Sequence, residues 1–171
     1  MGRIPAVDPD FTKSRLYDAE VRFVQTPLGR WFAINVATAL DPLVLRLTGG
    51  RSGVFVGARV VTLTVPGRRS GEPRSTPLLY FTEGDDVIVI ASSFGRERHP
   101  DWYHNVKAHP EVELSARGRR GRYHAQEVAD EAERRRLYDR GKHLYDGWND
   151  YERRTAVVGR TIPVFRLRPV G

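Results

Sequence analysis

Between Thr64 and Tyr80 the chain reads TVPGRRSGEPRSTPLLY, a Gly- and Pro-punctuated turn loaded with arginine and set between two strand-like runs. Guanidinium groups present planar forks of N–H donors, and a turn that exposes successive backbone N–H groups makes an anion-binding concavity. Gly67 and Gly71 let the main chain approach a ligand closely, Arg68, Arg69, Ser70 and Arg74 supply donors, and Pro73 stiffens the return into the next strand. The chemistry on offer is capture of a phosphate or carboxylate. A solvated hairpin with surface charges has the same letters, so the turn alone does not decide.

Two further clusters carry chemistry. In Ala91-Ser92-Ser93-Phe94-Gly95, followed by Arg96 to Asn105, a strand end rich in hydroxyls feeds a Gly loop and then a helix start, where N–H groups favour an anion or a polar ring edge. Trp102 and Tyr103 add flat apolar surface there, or Trp102 fills the core between helix and sheet. In Tyr145-Asp146-Gly147-Trp148-Asn149-Asp150-Tyr151 the aromatics lie three apart, which lines one face for a planar substrate or packs a core. His99 and His104 find no third ligand at metal spacing, and Ser70, Ser92 and the five His residues form no nucleophile-elbow pattern. No metal is expected.

The 171 residues suit one domain with an N-terminal extension, which we divide as 1–50, helical and loosely attached, and 51–171, the ligand-binding body. Lys+Arg number 28 against 21 Asp+Glu, a net +7 carried almost entirely by arginine, which suits an anionic ligand, nucleic acid or an acidic membrane surface. With no cysteine there is no disulfide framework and no thiol nucleophile, compatible with a cytoplasmic setting. No signal-peptide pattern and no spanning apolar run is present. Phe11 to Val24 and the apolar Trp31 to Leu47 read as helical, the latter suited to covering its own barrel, a second subunit or a lipid surface.

The elements that position these clusters are mainly β. Arg59 to Val65, Arg74 to Thr82 and Val87 to Ala91 form an antiparallel meander, Glu111 to Ala116 and Arg122 to Val128 flank the Arg117-Gly118-Arg119-Arg120-Gly121 hairpin, and Ile162 to Leu167 closes the set. Helices are expected over Asp101 to Ala108 and from Asp130 towards Tyr145. Six strands with few helices predict a small antiparallel barrel.

In combination the motifs are specific. Gly67-Arg68-Arg69-Ser70-Gly71 with Pro73-Arg74, Thr76-Pro77-Leu78, Ala91-Ser92, His99-Pro100-x-Trp102-Tyr103-x-Asn105 and Ala108-x-Pro110-x-Val112 resemble the deazaflavin-dependent nitroreductase family over roughly Val60 to Leu167. The resemblance implies an α+β, six-stranded split β-barrel similar to the FMN-binding pyridoxamine-phosphate-oxidase fold, and coenzyme F420 as cofactor. It implies that Arg68, Arg69, Ser70 and Arg74 hold the phosphate and glutamate tail, and that Ser75, Thr76, Pro77, Leu78 and Leu79 flank the deazaflavin. Ile90, Ala91, Ser92 and Ser93 then meet one ring edge, and Asp101, Trp102, Tyr103, His104 and Asn105 the other side. Members of that family often carry Lys where Ser93 stands, Gly where Phe94 stands, and Tyr at the positions of Leu79 and Trp148. With F420 the reaction is hydride transfer to a planar electrophile, a quinone or enone ahead of a nitroaromatic. Ser92, Tyr145 and Tyr151 are the expected donors to its developing anion, and Leu79, Ser92, Tyr145, Trp148 and Tyr151 the acceptor's contacts. FMN in the same barrel is the alternative cofactor. A nucleic-acid or acidic-membrane module is the rival class, though no aromatics interleave with a basic groove as strand binding requires. Partners expected are the small-molecule acceptor, a second copy of the chain and a peripheral membrane surface met by the N-terminal helix, with no specific nucleic acid.

Overall fold

The computed structural model describes residues 2–10, 26 and 59–171. Six strands, β1 (Val60–Pro66), β2 (Pro73–Glu83), β3 (Asp86–Ile90), β4 (Glu111–Ala116), β5 (Arg119–Glu127) and β6 (Val164–Pro169), close into a barrel in the order β1-β2-β3-β6-β5-β4. Every pairing is antiparallel, and β4 returns to β1 through Leu63 opposite Leu114. Both the meander β1–β2–β3 and the barrel class agree with the expectation from the sequence. Among the described residues three α-helices accompany the strands: α1 (Asp101–Ala108), α2 (Glu131–Leu144) and α3 (Gly147–Val157).

The patterning explains the closure. In β1 the side chains of Val61, Leu63 and Val65 are buried while Val60, Thr62 and Thr64 between them are not, the period-2 signature of a strand with one face inside. β3 is buried at Val87, Ile88, Val89 and Ile90 alike, because α2 lies over its outer side. There the guanidinium of Arg140 sits 6.0 Å over the Phe81 ring and Leu137, Tyr138 and Leu144 point inward. α2 starts where Asp130 accepts from the Glu133 N–H at 2.7 Å, an N-cap that satisfies one otherwise orphaned donor. Outside, Arg166 of β6 donates to Glu83 (2.7 Å), Asp86 (2.9 Å) and Glu133 (2.6 Å), and Arg136 donates to Glu83 (2.6 Å), lashing α2 to three strands.

The structure redraws three boundaries. The hairpin loop is only Arg117 and Gly118, with φ of 49° and 75°, so Arg119 to Gly121 already belong to β5 and Ala116 pairs with Arg119; two left-handed residues match the twist of the flanking strands. β6 begins at Val164 because Pro163 has no N–H for the ladder, although its carbonyl accepts from Ala91 at 2.9 Å. The described start of the N-terminal extension is neither helical nor loose: residues 2–8 carry no regular secondary structure, Pro9 and Asp10 form a turn, and Ile4 and Val7 lie in the core. The Tyr80 hydroxyl donates to Pro5 O (3.0 Å), the Ile4 N–H to the Tyr123 hydroxyl (2.9 Å), and Thr82 N to Val7 O (2.9 Å). The helical readings of Phe11 to Val24 and Trp31 to Leu47 lie outside the described residues.

Candidate cofactor and acceptor site

The basic turn links Pro66 of β1 to its partner Pro73 of β2. It closes on itself: Gly67 N donates to Glu72 O at 2.8 Å, Gly71 N to Gly67 O at 2.8 Å, and Glu72 N to the Ser70 hydroxyl at 3.3 Å. With its main chain so occupied, the turn leaves Arg68, Arg69, Ser70 and Arg74 exposed. Among the described residues none of the three guanidiniums has a carboxylate partner, whereas Arg134, Arg135, Arg136 and Arg166 are all ion-paired. A Cβ on Gly67 would stand 2.8 Å from the Ser70 hydroxyl, which would have to turn away to admit it. Three unneutralised forks and a hydroxyl on one short turn are the donor set a phosphate or carboxylate tail requires.

A single hydrogen bond joins the turn to the second cluster. The backbone N–H of Arg68 donates to Oδ1 of Asn105, on α1, at 3.1 Å, and Asn105 is 9% exposed. α1 divides its residues sharply. Trp102 is buried edge-on against Phe165, with centroids 5.6 Å apart, the core role weighed for it from sequence. Asp101 is exposed, while Tyr103 and His104 are half-buried at the rim. Tyr103 donates to Glu127 at 3.4 Å and stacks on His99 at 4.4 Å.

Strand alternation divides the five β2 residues implied to flank one ring. Ser75, Pro77 and Leu79 lie opposite Thr64, Thr62 and Val60 and share their face, and the Ser75 and Thr64 hydroxyls are 2.9 Å apart. Thr76 and Leu78 lie opposite Leu63 and Val61 and share the inner face. Side chains from only one of these sets meet a single planar ligand.

The strand end after β3 is held in an uncommon conformation. Ile90 and Ala91 are buried, Ser92 and Ser93 half-buried, and Ser93, Phe94 and Gly95 follow one another at φ of 53°, 56° and 71°. A left-handed residue other than Gly costs on the order of 1–3 kcal/mol, so something must hold Ser93 and Phe94 there. Two contacts do. Gly95 lies against α3, where a Cβ would come within 3.0 Å of Tyr151 Cα, and the Phe94 ring meets Tyr151 edge-on at 6.3 Å. Arg160, just past α3, donates to Ala91 O (2.7 Å), Ser92 O (3.2 Å), Arg96 O (2.8 Å) and His99 Nδ1 (3.2 Å). Burial, and then the Arg160 cation, lower the His99 pKa; the ring accepts at Nδ1 and is neutral with its proton on Nε2. The Ser92 and Ser93 hydroxyls have no partner among the described residues.

Tyr145, Trp148 and Tyr151 are 6%, 3% and 4% exposed, with the two tyrosine hydroxyls 3.0 Å apart and Trp148 edge-on to Tyr145 at 5.8 Å. In this conformation the trio packs as core beneath the Phe94–Gly95 turn, the alternative weighed for it from sequence, and its hydroxyls do not open to solvent. Sequence reasoning missed Arg160 altogether. Its acceptors are mostly main-chain carbonyls more than sixty residues upstream, which no local pattern of letters reports. Among the described residues no group of His, Asp or Glu side chains is arranged to hold a metal ion, and no helix is long and apolar enough to cross a membrane.

A family profile described as F420H(2)-dependent quinone reductase matches residues 37–169. An F420H(2)-dependent quinone reductase of Mycobacterium tuberculosis is 36% identical over 93 residues, covering 52% of this chain and 62% of that protein, so the chain spans under two thirds of the length of this relative. Among solved structures, an F420-H2 dependent reductase is similar at a TM-score of 0.58 and 32% identity, covering 64% of this chain and 94% of that one. A chain described as a domain-swapped dimer is similar at a TM-score of 0.60 and 28% identity, covering 76% and 97%.

Proposed function

Because the chain belongs to the F420H(2)-dependent quinone reductase family, we propose that it binds coenzyme F420 across the β1–β2 turn, α1 and the Ala91–Ser93 strand end, and reduces a quinone there. The observation that carries this reading is the Arg68 N–H to Asn105 bond. It fastens the turn with three unneutralised guanidiniums to the helix of the ring-side motif, so an anionic tail and a planar head have adjoining supports. FMN remains the alternative ligand of such a barrel.

When bound, the reduced deazaflavin supplies a hydride to the quinone. The chain's own residues bind, orient and stabilise. Arg68, Arg69, Arg74 and Ser70 hold the phosphate and glutamate tail through charge-assisted hydrogen bonds. One face of β2, the Ile90 to Ser93 strand end, and Asp101, Tyr103 and His104 at the α1 rim bound the ring, while Trp102 and Asn105 fix α1 from within. The half-buried, unpartnered Ser92 hydroxyl donates to the oxyanion that develops on the acceptor, and Leu79 lines the acceptor's place. Tyr145, Trp148 and Tyr151 pack behind the Phe94–Gly95 turn, where the two tyrosine hydroxyls pair with each other rather than facing the acceptor. Apolar by sequence, Trp31 to Leu47 gives the protein its peripheral contact with the membrane in which long-chain quinones dissolve. Vesicle co-sedimentation of the full chain tests that contact, and absence of the protein from the pellet refutes it. A homodimer, as in the domain-swapped relative, is tested by light scattering, and a monomeric mass refutes it.

The test of the central reading is a fluorescence titration of F420 with wild type and with the Arg68→Ala/Arg74→Ala double variant. Loss of two charge-assisted contacts at an exposed site weakens affinity about 10- to 100-fold at roughly 1.4 kcal/mol per tenfold. Equal affinity removes the turn from the site, and retention of FMN without F420 binding replaces the cofactor. Turnover of F420H2 with menadione, and with enone and nitroaromatic probes beside it, identifies the acceptor.

A further inference from the structure

We propose that Arg160 is the positioning residue of the acceptor loop, its one guanidinium setting the direction of Ser92 and placing an unneutralised positive charge behind it. The inference rests on the F420-dependent reading above. Arg160 is anchored at the end of α3, where its own N–H donates to Thr155 O at 2.9 Å. From there the side chain reaches four acceptors on the Ala91 to His99 segment, three of them main-chain carbonyls. A guanidinium offers five N–H donors in a rigid plane; an ammonium concentrates three at one point and cannot span this set.

Among the described residues Arg160 has no carboxylate partner. Its charge is therefore not cancelled locally; burial lowers its pKa, and a guanidinium stays charged in proteins. The Ser92 carbonyl it grips belongs to the residue whose hydroxyl faces the acceptor in the reading above, and the left-handed Ser93–Phe94–Gly95 run begins one residue later. Holding that run is work that local propensity opposes. A fixed cation behind a hydroxyl donor favours charge that appears on the acceptor during reduction, and does so without reorganisation.

His99 reports the same clamp. It faces Arg160 at 3.2 Å, Tyr103 in a stack at 4.4 Å, His104 edge-on at 6.2 Å and, more distantly, Glu127. Protonation of its ring removes the Nδ1 acceptor and sets two cations together. Acidification below the ordinary imidazole range therefore loosens one of the four ties.

The experiment compares wild type, Arg160→Lys and Arg160→Gln by four readouts: F420 affinity by fluorescence, kcat and KM with menadione, amide exchange in the cofactor-free protein, and the His99 ring titration by NMR. Expected are a kcat about 10- to 100-fold lower in both variants, with F420 affinity within about threefold of wild type because the tail-binding turn is untouched. Amide protection at Gly95 and Arg96 falls, and in Arg160→Gln the His99 midpoint moves to higher pH once the neighbouring cation is gone. A merely structural role lowers kcat only in proportion to the fraction of protein that binds F420 and leaves kcat per bound site unchanged; that result overturns the proposal, as does a kcat retained within threefold. Wild type that takes up no F420 overturns the underlying reading, and this inference with it, whereas wild type that binds while the variants keep their kcat overturns the inference alone.

Discussion

Replacing Asn105 with Ala removes the acceptor of the Arg68 N–H and separates the basic turn from α1. The bond is 3.1 Å long and its acceptor side is 9% exposed, so its net worth lies at the ordinary value for a partly buried neutral bond, about 1 kcal/mol. Truncating a buried Asn also leaves a small void on the buried side of α1, which adds a comparable amount to the loss of folding stability. The two effects separate because only the first bears on binding. The freed turn must be ordered again when the tail binds, so F420 affinity falls by the value of the bond, about fivefold at roughly 1.4 kcal/mol per tenfold. Fluorescence titration of F420 and thermal unfolding without cofactor read the two quantities. Asn105→Asp keeps the acceptor and the volume but adds a negative charge next to the anion site, so its affinity falls further than that of Ala while its stability falls less. An Asn105→Ala protein that melts lower yet binds F420 with unchanged affinity would show that the turn is already organised without α1, and the reasoning that makes this bond the join between the motifs would be wrong.

Gly95→Ala demands a Cβ at a φ of 71° and 3.0 Å from Tyr151 Cα, so it lowers stability by about 2–4 kcal/mol and kcat along with it; differential scanning calorimetry showing a melting temperature within 2 °C of wild type, about 0.5 kcal/mol, would contradict the packing described. The carboxyl of Glu83 is held down from an ordinary 4.5 to about 2, first by the hydrogen bond from Arg136 and then, against burial, by Arg166. A depressed folded-state value means that its stabilisation is complete above pH 4.5 and is lost as pH falls towards 2. Wild type therefore loses stability across that window, and Glu83→Gln, already weaker by about 1–2 kcal/mol at neutral pH once the quarter-exposed setting of the group is allowed for, lacks this component of the loss; parallel urea-unfolding profiles against pH check both.

Much of the barrel was legible locally. The alternation in Val60 to Val65 reports one buried face, because side-chain direction in a strand reverses at every residue, and the unbroken apolar run Val87 to Ile90 reports a strand buried on both faces. The basic turn carrying Arg68, Arg69, Ser70 and Arg74 was equally legible, since it depends on residue type and on a Gly/Pro turn spanning a few positions. The start of β5 was not: Arg119 to Gly121 look like loop until the two-residue turn at Arg117 and Gly118 is seen to complete the reversal alone. Nor was the attachment of residues 2–10, whose partners Tyr80, Thr82, Arg120 and Tyr123 lie some 75 to 120 positions away.

The sequence by itself determined the barrel class, most of its strands and the basic, Gly/Pro-punctuated turn, because each rests on periodicity or residue chemistry within a short span, whereas helix α3 and the non-helical start of the chain were not determined by it. Only the tertiary structure decided which residues share a site. Closure of the barrel brings Asn105 to Arg68, sets Ser75, Pro77 and Leu79 on a different face from Thr76 and Leu78, and turns Tyr145 and Tyr151 into a buried hydroxyl pair. It also sends Arg160 across to carbonyls sixty-four to sixty-nine residues earlier in the chain. Main-chain carbonyls are the same in every residue, so a side chain that works by gripping them leaves no mark in the sequence it grips.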